Sequence, residues 1–186
     1  MRLVSVIILF CIFLNGCGST NTQIEQAMDL RKRILDSSTC SFSAVITADY
    51  GDEVYTFQMD CESDNSRTML FTVTYPETIA GITGQISDNN ANLTFDDKVL
   101  AFPMLVNEQL APVIAPWIFL STLYGGYLSA CSQEQTGICL YFDDSFEGEL
   151  LQLLVYTDEL LTPIRAEIIY NERRILTLDI NNFIFK

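Results

Sequence analysis

The side chains of this chain best suited to covalent chemistry are its cysteines, and Cys17 stands where a thiol can be acylated. It follows Leu14, Asn15 and Gly16 at the end of an apolar run, and Arg2 lies in front of that run. A positive start, a short apolar core and small residues before a polar stretch are typical of an export signal. The run is too short for a spanning helix, which needs about 20 residues.

The segment from Leu14 to Cys17 resembles a bacterial lipobox. On that interpretation residues 1–16 are a signal peptide, Cys17 receives a diacylglycerol through a thioether, and residues 17–22 are a tether. Two or three acyl chains such as palmitate hold a protein stably, because each buried CH₂ contributes about 0.8 kcal/mol. We therefore expect a lipid-anchored protein on the extracytoplasmic face of the cell membrane, or at the outer membrane in a cell with two. The alternative is a secretory peptide in which Cys17 is incidental.

Four more cysteines follow Cys17, and an even number in an exported protein suggests two disulfides. Cys131 and Cys139 flank a candidate hairpin loop, so a register that places them opposite each other would allow a bridge. Cys40 and Cys61 lie on two neighbouring strands, where the best register leaves them diagonal. The alternative is four buried thiols that behave as small apolar side chains.

Charge and composition exclude several classes of function. The chain has 10 basic and 24 acidic residues, and loss of residues 1–16 removes Arg2 and no acid, which leaves a net charge of −15. A nucleic-acid binder needs a basic footprint, and this chain offers none. Histidine is absent, which removes the commonest general base and most catalytic zinc sites. We expect no catalytic residue, no metal and no cofactor.

The densest acidic segment, residues 143–149, is the strongest candidate for carboxylate chemistry. It could present paired carboxylates or bind calcium, but it lacks the spaced ligands of a calcium loop. Phe146 and Gly148 within it are typical of a turn. We therefore predict a solvated loop here and not an enzyme site.

The spacing of apolar residues predicts one helix followed by a long run of strands. Thr22 and Glu25 form a candidate capping box, and apolar residues recur at helical spacing up to Leu35. From Cys40 the period changes to two, and a turn at Gly51-Asp52 pairs residue 42 with 61 and residue 48 with 55. A last hairpin with a three-residue loop at 171–173 pairs 168 with 176 and 166 with 178.

An apolar segment, residues 110–124, interrupts the strands. Pro112 and Pro116 each fit the first turn of a short helix, so we predict two short helical turns here. The segment is hydrophobic all round and must contact apolar surface on more than one side. Together these patterns predict an α+β fold: a strongly curved, unclosed antiparallel sheet of about 9–11 strands, whose concave face is covered by the first helix and this insertion. Residues 23–186 form this single domain.

This order of elements resembles the LolA/LolB-like half-barrel lipoproteins, and most closely the small LolA-like lipoproteins of Firmicutes that include the germination lipoprotein GerS. The matching segments span roughly residues 22–186 and are strand and turn patterns, at residues 43–47, 76–83, 93–102, 163–168 and 183–185. The chain departs from the family at Leu160-Leu161-Thr162-Pro163, where a Thr-Gly-Leu-Pro turn is common. The resemblance implies an apolar cavity that accepts acyl chains.

Two functions remain open at this point. The first is a module that binds a lipid or another hydrophobic ligand in a cavity; a filled core is the alternative reading of the same residues. The candidate cavity residues are Phe42, Ile46, Phe57, Phe71, Trp117, Phe119, Leu120 and Leu123. The second, suggested by the GerS-like members, is a non-catalytic scaffold or partner for an exported cell-wall or spore-cortex enzyme, recruited through exposed strand edges, which could also form a homodimer.

Overall fold

The computed structural model describes residues 19–64, 68–88, 90–107 and 109–186. Leu14, Asn15, Gly16 and Cys17 lie outside these ranges, so the lipobox stays a prediction. The two helices and the single 3-10 turn in the described part are α1 Ser19–Asp36, the turn Pro112–Ile114 and α2 Ala115–Gly125. The strands are β1 Thr39–Asp49, β2 Val54–Asp64, β3 Met69–Tyr75, β4 Thr83–Ser87, β5 Asn90–Phe95, β6 Lys98–Ala101, β7 Leu105–Val106, β8 Gln109–Leu110, β9 Tyr127–Gln133, β10 Ile138–Phe146, β11 Glu149–Thr157, β12 Pro163–Tyr170 and β13 Arg173–Phe185.

Eleven of these strands form one antiparallel sheet in the order β6-β5-β4-β3-β2-β1-β13-β12-β11-β10-β9. Neighbours in the sheet are also neighbours in the chain, except that β1 pairs with β13 and so joins the first half of the chain to the last. The sheet does not close, because β6 and β9 lie at its two edges. The structure therefore confirms the predicted unclosed α+β half-barrel with an N-terminal helix and a central helical insertion.

The first hairpin has the register that the alternation of apolar residues predicts. Phe42 pairs with Cys61 and Ala48 pairs with Tyr55. Burial alternates along β1 from Cys40 to Ala48, so every second side chain faces the core. A shift of one residue would turn this whole apolar set to solvent, which is why the sequence determines the register so strongly.

The last hairpin differs from the prediction at its turn. Asn171 and Glu172 have φ angles of 50° and 62°, so the loop contains two residues and Tyr170 pairs with Arg173. A bulge on β13 then absorbs one residue, and Ile168 pairs with Leu176 as predicted. The three-residue loop was therefore wrong, while the pairing that faces the core was right. The pairing is the same because the bulge adds back the residue that the shorter turn leaves out.

The first helix extends further toward the N-terminus than its capping box indicates. It begins at Ser19, so Thr22 lies inside the helix and the predicted start there is wrong. Ala27, Leu30 and Ile34 form its fully buried face. The remaining members of the predicted apolar stripe are about half exposed, and they are Ile24, Met28 and Leu35.

On the outer face of the sheet, Glu167 is the centre of an ion network. Its side chain is only 10 % exposed, and its carboxylate lies 3.0 Å from Arg165 and 3.2 Å from Arg174. Arg165 also approaches Asp179, at 3.6 Å, but that carboxylate is 55 % exposed. A buried carboxylate with two charged donors contributes more than a solvated pair, because water does not screen its hydrogen bonds.

We expect Glu167→Gln to lower the free energy of unfolding by about 1–3 kcal/mol. The carboxylate accepts three charge-assisted hydrogen bonds from the two arginines, whereas the amide is uncharged and only its oxygen can accept. Asp179→Asn is the matched control and should change it by less than about 1 kcal/mol, because the carboxylate is exposed. Urea unfolding of both variants measures the difference. Equal losses would contradict the assignment of Glu167 as the centre of the network.

Candidate functional site

The eight residues of the predicted apolar cavity lie where the sheet and α2 pack together, four on strands β1 to β3 and four on α2. Each of them is buried, and they are Phe42, Ile46, Phe57, Phe71, Trp117, Phe119, Leu120 and Leu123. They extend across the sheet and do not form one compact cluster. Phe71 lies on β3 and Trp117 packs against β10, and five strands separate β3 from β10 in the sheet.

At the centre of this face the aromatic side chains pack against one another. The ring centroids of Phe42 and Phe119 are 5.7 Å apart and edge to face, and Phe183 stacks on Phe42 at 5.4 Å. Phe183 also meets Phe119 edge-on at 6.2 Å. Side chains of α2 therefore fill the middle of the concave face, so the structure shows a filled interior at the place predicted for a cavity.

Phe183 belongs to this cluster, although the sequence analysis placed it only in the terminal strand. The bulge that separates the pairs of Ser41 and Ser43 with β13 changes the register near the end of that strand. A bulge changes the direction of a side chain, and the sequence carries no local sign of this one. The alternation of apolar residues alone could not have identified Phe183 as a member.

The helix α2 is an apolar insertion between the sheet and α1. The prolines begin its two parts as predicted: Pro112 opens the 3-10 turn and Pro116 lies in the first turn of α2. All but three residues of α2 are buried, so the helix presents no solvated face of its own. Its C-terminal end is held by α1, because the Arg31 guanidinium donates a hydrogen bond of 2.7 Å to the carbonyl of Tyr124. A cation at this end of a helix also offsets the helix dipole.

Trp117 contains a buried donor without an acceptor. The side chain is 8 % exposed, and its Nε1 has no hydrogen-bond partner among the described residues. The ring packs edge-on against Phe146, with centroids 6.1 Å apart, beside a small pocket of about 220 Å³ that also includes Ser121 and Asp144. An unsatisfied buried donor costs about 1–3 kcal/mol, so its presence requires an explanation.

The predicted disulfides are absent from the described structure, where Cys40, Cys61, Cys131 and Cys139 are all free. The register of β9 and β10 pairs Cys139 with Ser132 and Cys131 with Leu140, so the two thiols project from opposite faces of the sheet. Cys40 and Cys61 are diagonal to each other, as expected, because Phe42 lies opposite Cys61. Diagonal side chains lie further apart than a disulfide allows. Both bridge predictions are therefore wrong.

Burial keeps these thiols unreactive. It raises the pKa of Cys139 to about 11 and also raises the pKa of Cys131. Because the thiolate is the reactive form, both side chains remain protonated and weakly nucleophilic at neutral pH. The alternative left open by the sequence was four buried thiols; Cys40, Cys61 and Cys139 are buried, whereas Cys131 is only partly buried.

The acidic segment at residues 143–149 is mostly strand. Residues 143–146 end β10, and only Glu147 and Gly148, with φ angles of 53° and 87°, form the turn, so a loop over the whole segment was wrong. Asp143 accepts a hydrogen bond of 2.9 Å from the Gln152 amide on β11.

Within the described ranges, no group of three or more acidic, cysteine or histidine side chains comes together to hold a metal. No helix in the described ranges is long and apolar enough to span a membrane.

No known family model matches the sequence, and no curated protein matches it either. Solved structures do match the fold. A LolA superfamily protein from Nitrosomonas europaea gives a TM-score of 0.51 at 9% identity, over 91% of this chain and 94% of that one. The putative outer membrane lipoprotein-sorting protein domain from Vibrio parahaemolyticus gives 0.49 at 9% identity, over 89% and 93%.

The structure of the CwlD amidase from Clostridioides difficile in complex with the GerS lipoprotein gives a TM-score of 0.38 at 13% identity, over 93% of this chain and 100% of that one. At such identities the likenesses concern the fold. The match to the Nitrosomonas protein covers nearly all of both chains. This chain therefore has a LolA-like fold.

Proposed function

We propose that this chain is a membrane-anchored extracytoplasmic lipoprotein that binds an acyl chain or another hydrophobic ligand between the sheet and α2. The acylated Cys17 would hold it at the outer leaflet of the cell membrane, or at the outer membrane in a cell with two. The domain is strongly acidic, so an anionic membrane surface would repel it and the lipid would supply the adhesion. The function involves no catalysis.

The observation that supports this proposal best is that α2 is apolar on all sides and inserted into a sheet that does not close. Its contacts with the sheet include the ring contacts of Phe119 and Trp117. Apolar contacts are not directional, so an acyl chain can replace them without leaving polar groups unpaired. An open sheet also lets a helix withdraw without breaking a strand ladder.

The orphaned donor of Trp117 supports the same site. Trp117 belongs to α2, and its buried indole N–H pairs with no acceptor in the described structure. The carbonyl or carboxyl oxygen of an acyl ligand would supply that acceptor. Pockets for small molecules combine apolar walls with a few polar groups that fix orientation. Here the apolar walls are the side chains between the sheet and α2, and the indole N–H is the polar group.

The experiment uses the fact that Trp117 is the only tryptophan of the chain. Full-length protein is titrated with oleate while tryptophan emission is recorded, with acetate as the control because it has the carboxylate and no chain. We expect a saturable change with oleate and none with acetate. The organic extract of the protein is also analysed for bound lipid. The proposal would be refuted if tryptophan emission did not change with oleate and the extract contained no lipid beyond the covalent acyl chains.

The second candidate function is a non-catalytic scaffold for an exported cell-envelope enzyme, and the edge strand β6 favours it. All four residues of β6 are exposed, and Val99 and Leu100 remain 66 % and 60 % exposed on its two faces. An uncovered apolar edge is where another chain can add a strand.

Crosslinking in native membranes tests this second function. Leu100→Lys should abolish a crosslink to a partner, whereas Leu70→Lys, on β3 away from the edge, should not. Recovery of this chain alone would count against it.

A further inference from the structure

A second pocket, of about 400 Å³, lies at the turn of the first hairpin. Unlike the apolar interior, it is lined by two tyrosines and a carboxylate as well as apolar side chains. Its walls come from the β1–β2 turn, and its floor comes from the segment that leads into α2. The wall residues are Tyr50, Glu53 and Tyr55, and the floor includes Val106, Leu110 and Pro112. Sequence reasoning missed this pocket, because its two parts are about 60 residues apart in the chain.

The local structure fixes both aromatic walls. The Tyr50 amide donates to the Glu53 carbonyl at 3.0 Å and closes the turn, in which Gly51 has a φ of 94° that favours glycine. The Tyr50 hydroxyl donates to the carbonyl of Leu110 at 2.5 Å, which ties the ring to the floor. The Tyr55 hydroxyl donates to the carboxylate of Glu53.

Both hydroxyls are thus engaged at the ring edges. The two ring centroids are 6.3 Å apart and the planes are inclined by 60°. At this distance the two rings pack on each other, so a bound cation lies beside the pair, in the open angle of the two planes. It can reach both rings there, since a cation interacts with an aromatic face within about 6 Å of its centroid. The carboxylate of Glu53 adds a negative charge at the same wall.

The charge around this pocket is one-sided. Among its described lining residues there is one carboxylate, Glu53, and neither lysine nor arginine. Arg173 lies close to Gly51 in the adjoining turn, but it is engaged with Asp49, whose carboxylate is 3.5 Å away. The whole chain has a net charge of −14, and such a field raises the local concentration of cations.

We propose that this pocket binds an alkylammonium group, quaternary or primary, from a small soluble amine or from a lipid headgroup. The faces of Tyr50 and Tyr55 hold the charge, Glu53 neutralises it, and the apolar floor contacts the alkyl substituents. The site is separate from the proposed interior site and does not depend on it.

Both tyrosines are protonated at neutral pH, as a cation–π contact with their phenol rings requires. Burial raises the pKa of Tyr50 to about 12, so its ring is an uncharged phenol at neutral pH. The hydrogen bond to Glu53 raises the pKa of Tyr55 as well. Hydrogen bonding to a carboxylate also leaves electron density on the phenol ring, which favours contact with a cation.

The test compares choline with 3,3-dimethylbutanol, which has the same shape and no charge. Full-length protein in a non-ionic detergent is titrated with each probe by isothermal calorimetry. We expect choline to bind severalfold more tightly than the neutral probe, because both rings and the Glu53 carboxylate attract its charge while the shape of the two probes is the same. Equal affinities, or no binding of choline, would overturn the proposal.

Substitutions locate the site. Tyr55→Leu and Glu53→Gln should each weaken choline binding severalfold, and both residues are exposed enough for the fold to tolerate the change. Tyr127→Leu removes an exposed tyrosine outside the pocket and should leave the affinity unchanged. Similar losses for Tyr55→Leu and Tyr127→Leu would refute the assignment.

A third probe distinguishes the two sources of the ammonium group. Glycerophosphocholine carries the same cation with the phosphate of a lipid headgroup. Binding equal to that of choline indicates a headgroup, since the site then accepts the phosphate. Binding much weaker than that of choline indicates a small soluble amine, because Glu53 then repels the phosphate. Both results are compatible with the cation site, and the proposal fails only on the comparisons above.

Discussion

Replacing Phe119 with alanine is expected to lower the free energy of unfolding by about 3–5 kcal/mol. The ring is fully buried on α2 and stands edge-on to Phe42 and Phe183. Its removal forfeits the burial of the ring and leaves a void that the hydrogen-bonded strands around it cannot collapse to fill. Urea unfolding followed by circular dichroism measures the loss.

The matched control is Phe95→Ala. Phe95 is about half exposed at the end of β5, next to the sheet edge. Substitutions at such positions usually change the free energy of unfolding by less than about 0.5 kcal/mol. If the two variants lost the same stability, α2 would not be part of a close-packed core, and the account of the concave face would fail.

Replacing Cys17 with serine is expected to move the protein from the membrane fraction to the soluble extracytoplasmic fraction. The hydroxyl cannot take the place of the thiol that would receive the diacylglycerol, so the acyl chains and their contribution of about 0.8 kcal/mol per CH₂ are lost together. Among the described side chains the buried core begins at Ala27, so we expect the thermal midpoint to stay unchanged. Incorporation of labelled palmitate and fractionation of cells measure the effect.

Cys11→Ser serves as the control for this substitution. Cys11 lies in the apolar run before the proposed cleavage site, so the mature protein would not contain it. Its substitution should leave both palmitate labelling and membrane retention as they are. Labelling that persists in Cys17→Ser, or that is lost in Cys11→Ser, would show that the lipobox interpretation is wrong.

The sequence predicted the fold well where apolar alternation determines it. The β1–β2 register follows from the alternation between Phe42 and Cys61, because only one register buries the whole set. The two prolines predicted the start of both helical turns, since a missing N–H is harmless only in the first turn. Local rules were sufficient for these elements.

The sequence failed where the result depends on bulges or distant contacts. A one-residue difference in register placed Cys131 opposite Leu140 and removed the predicted bridge to Cys139. The contact between Arg31 and the carbonyl of Tyr124 joins residues 93 positions apart, and nothing local indicates it. The tyrosine pocket requires Tyr50 to meet Leu110, which only the folded chain brings about.

The central claim, that an acyl chain enters between the sheet and α2, is tested most directly by photoaffinity labelling. Full-length protein is incubated with palmitate that carries a diazirine near the end of its chain, irradiated, digested and sequenced by mass spectrometry. The account predicts crosslinks on the concave face, at residues such as Ile46, Leu120 and Leu178, all of which are buried. Crosslinks confined to exposed residues such as Leu70 and Ile184 would contradict it.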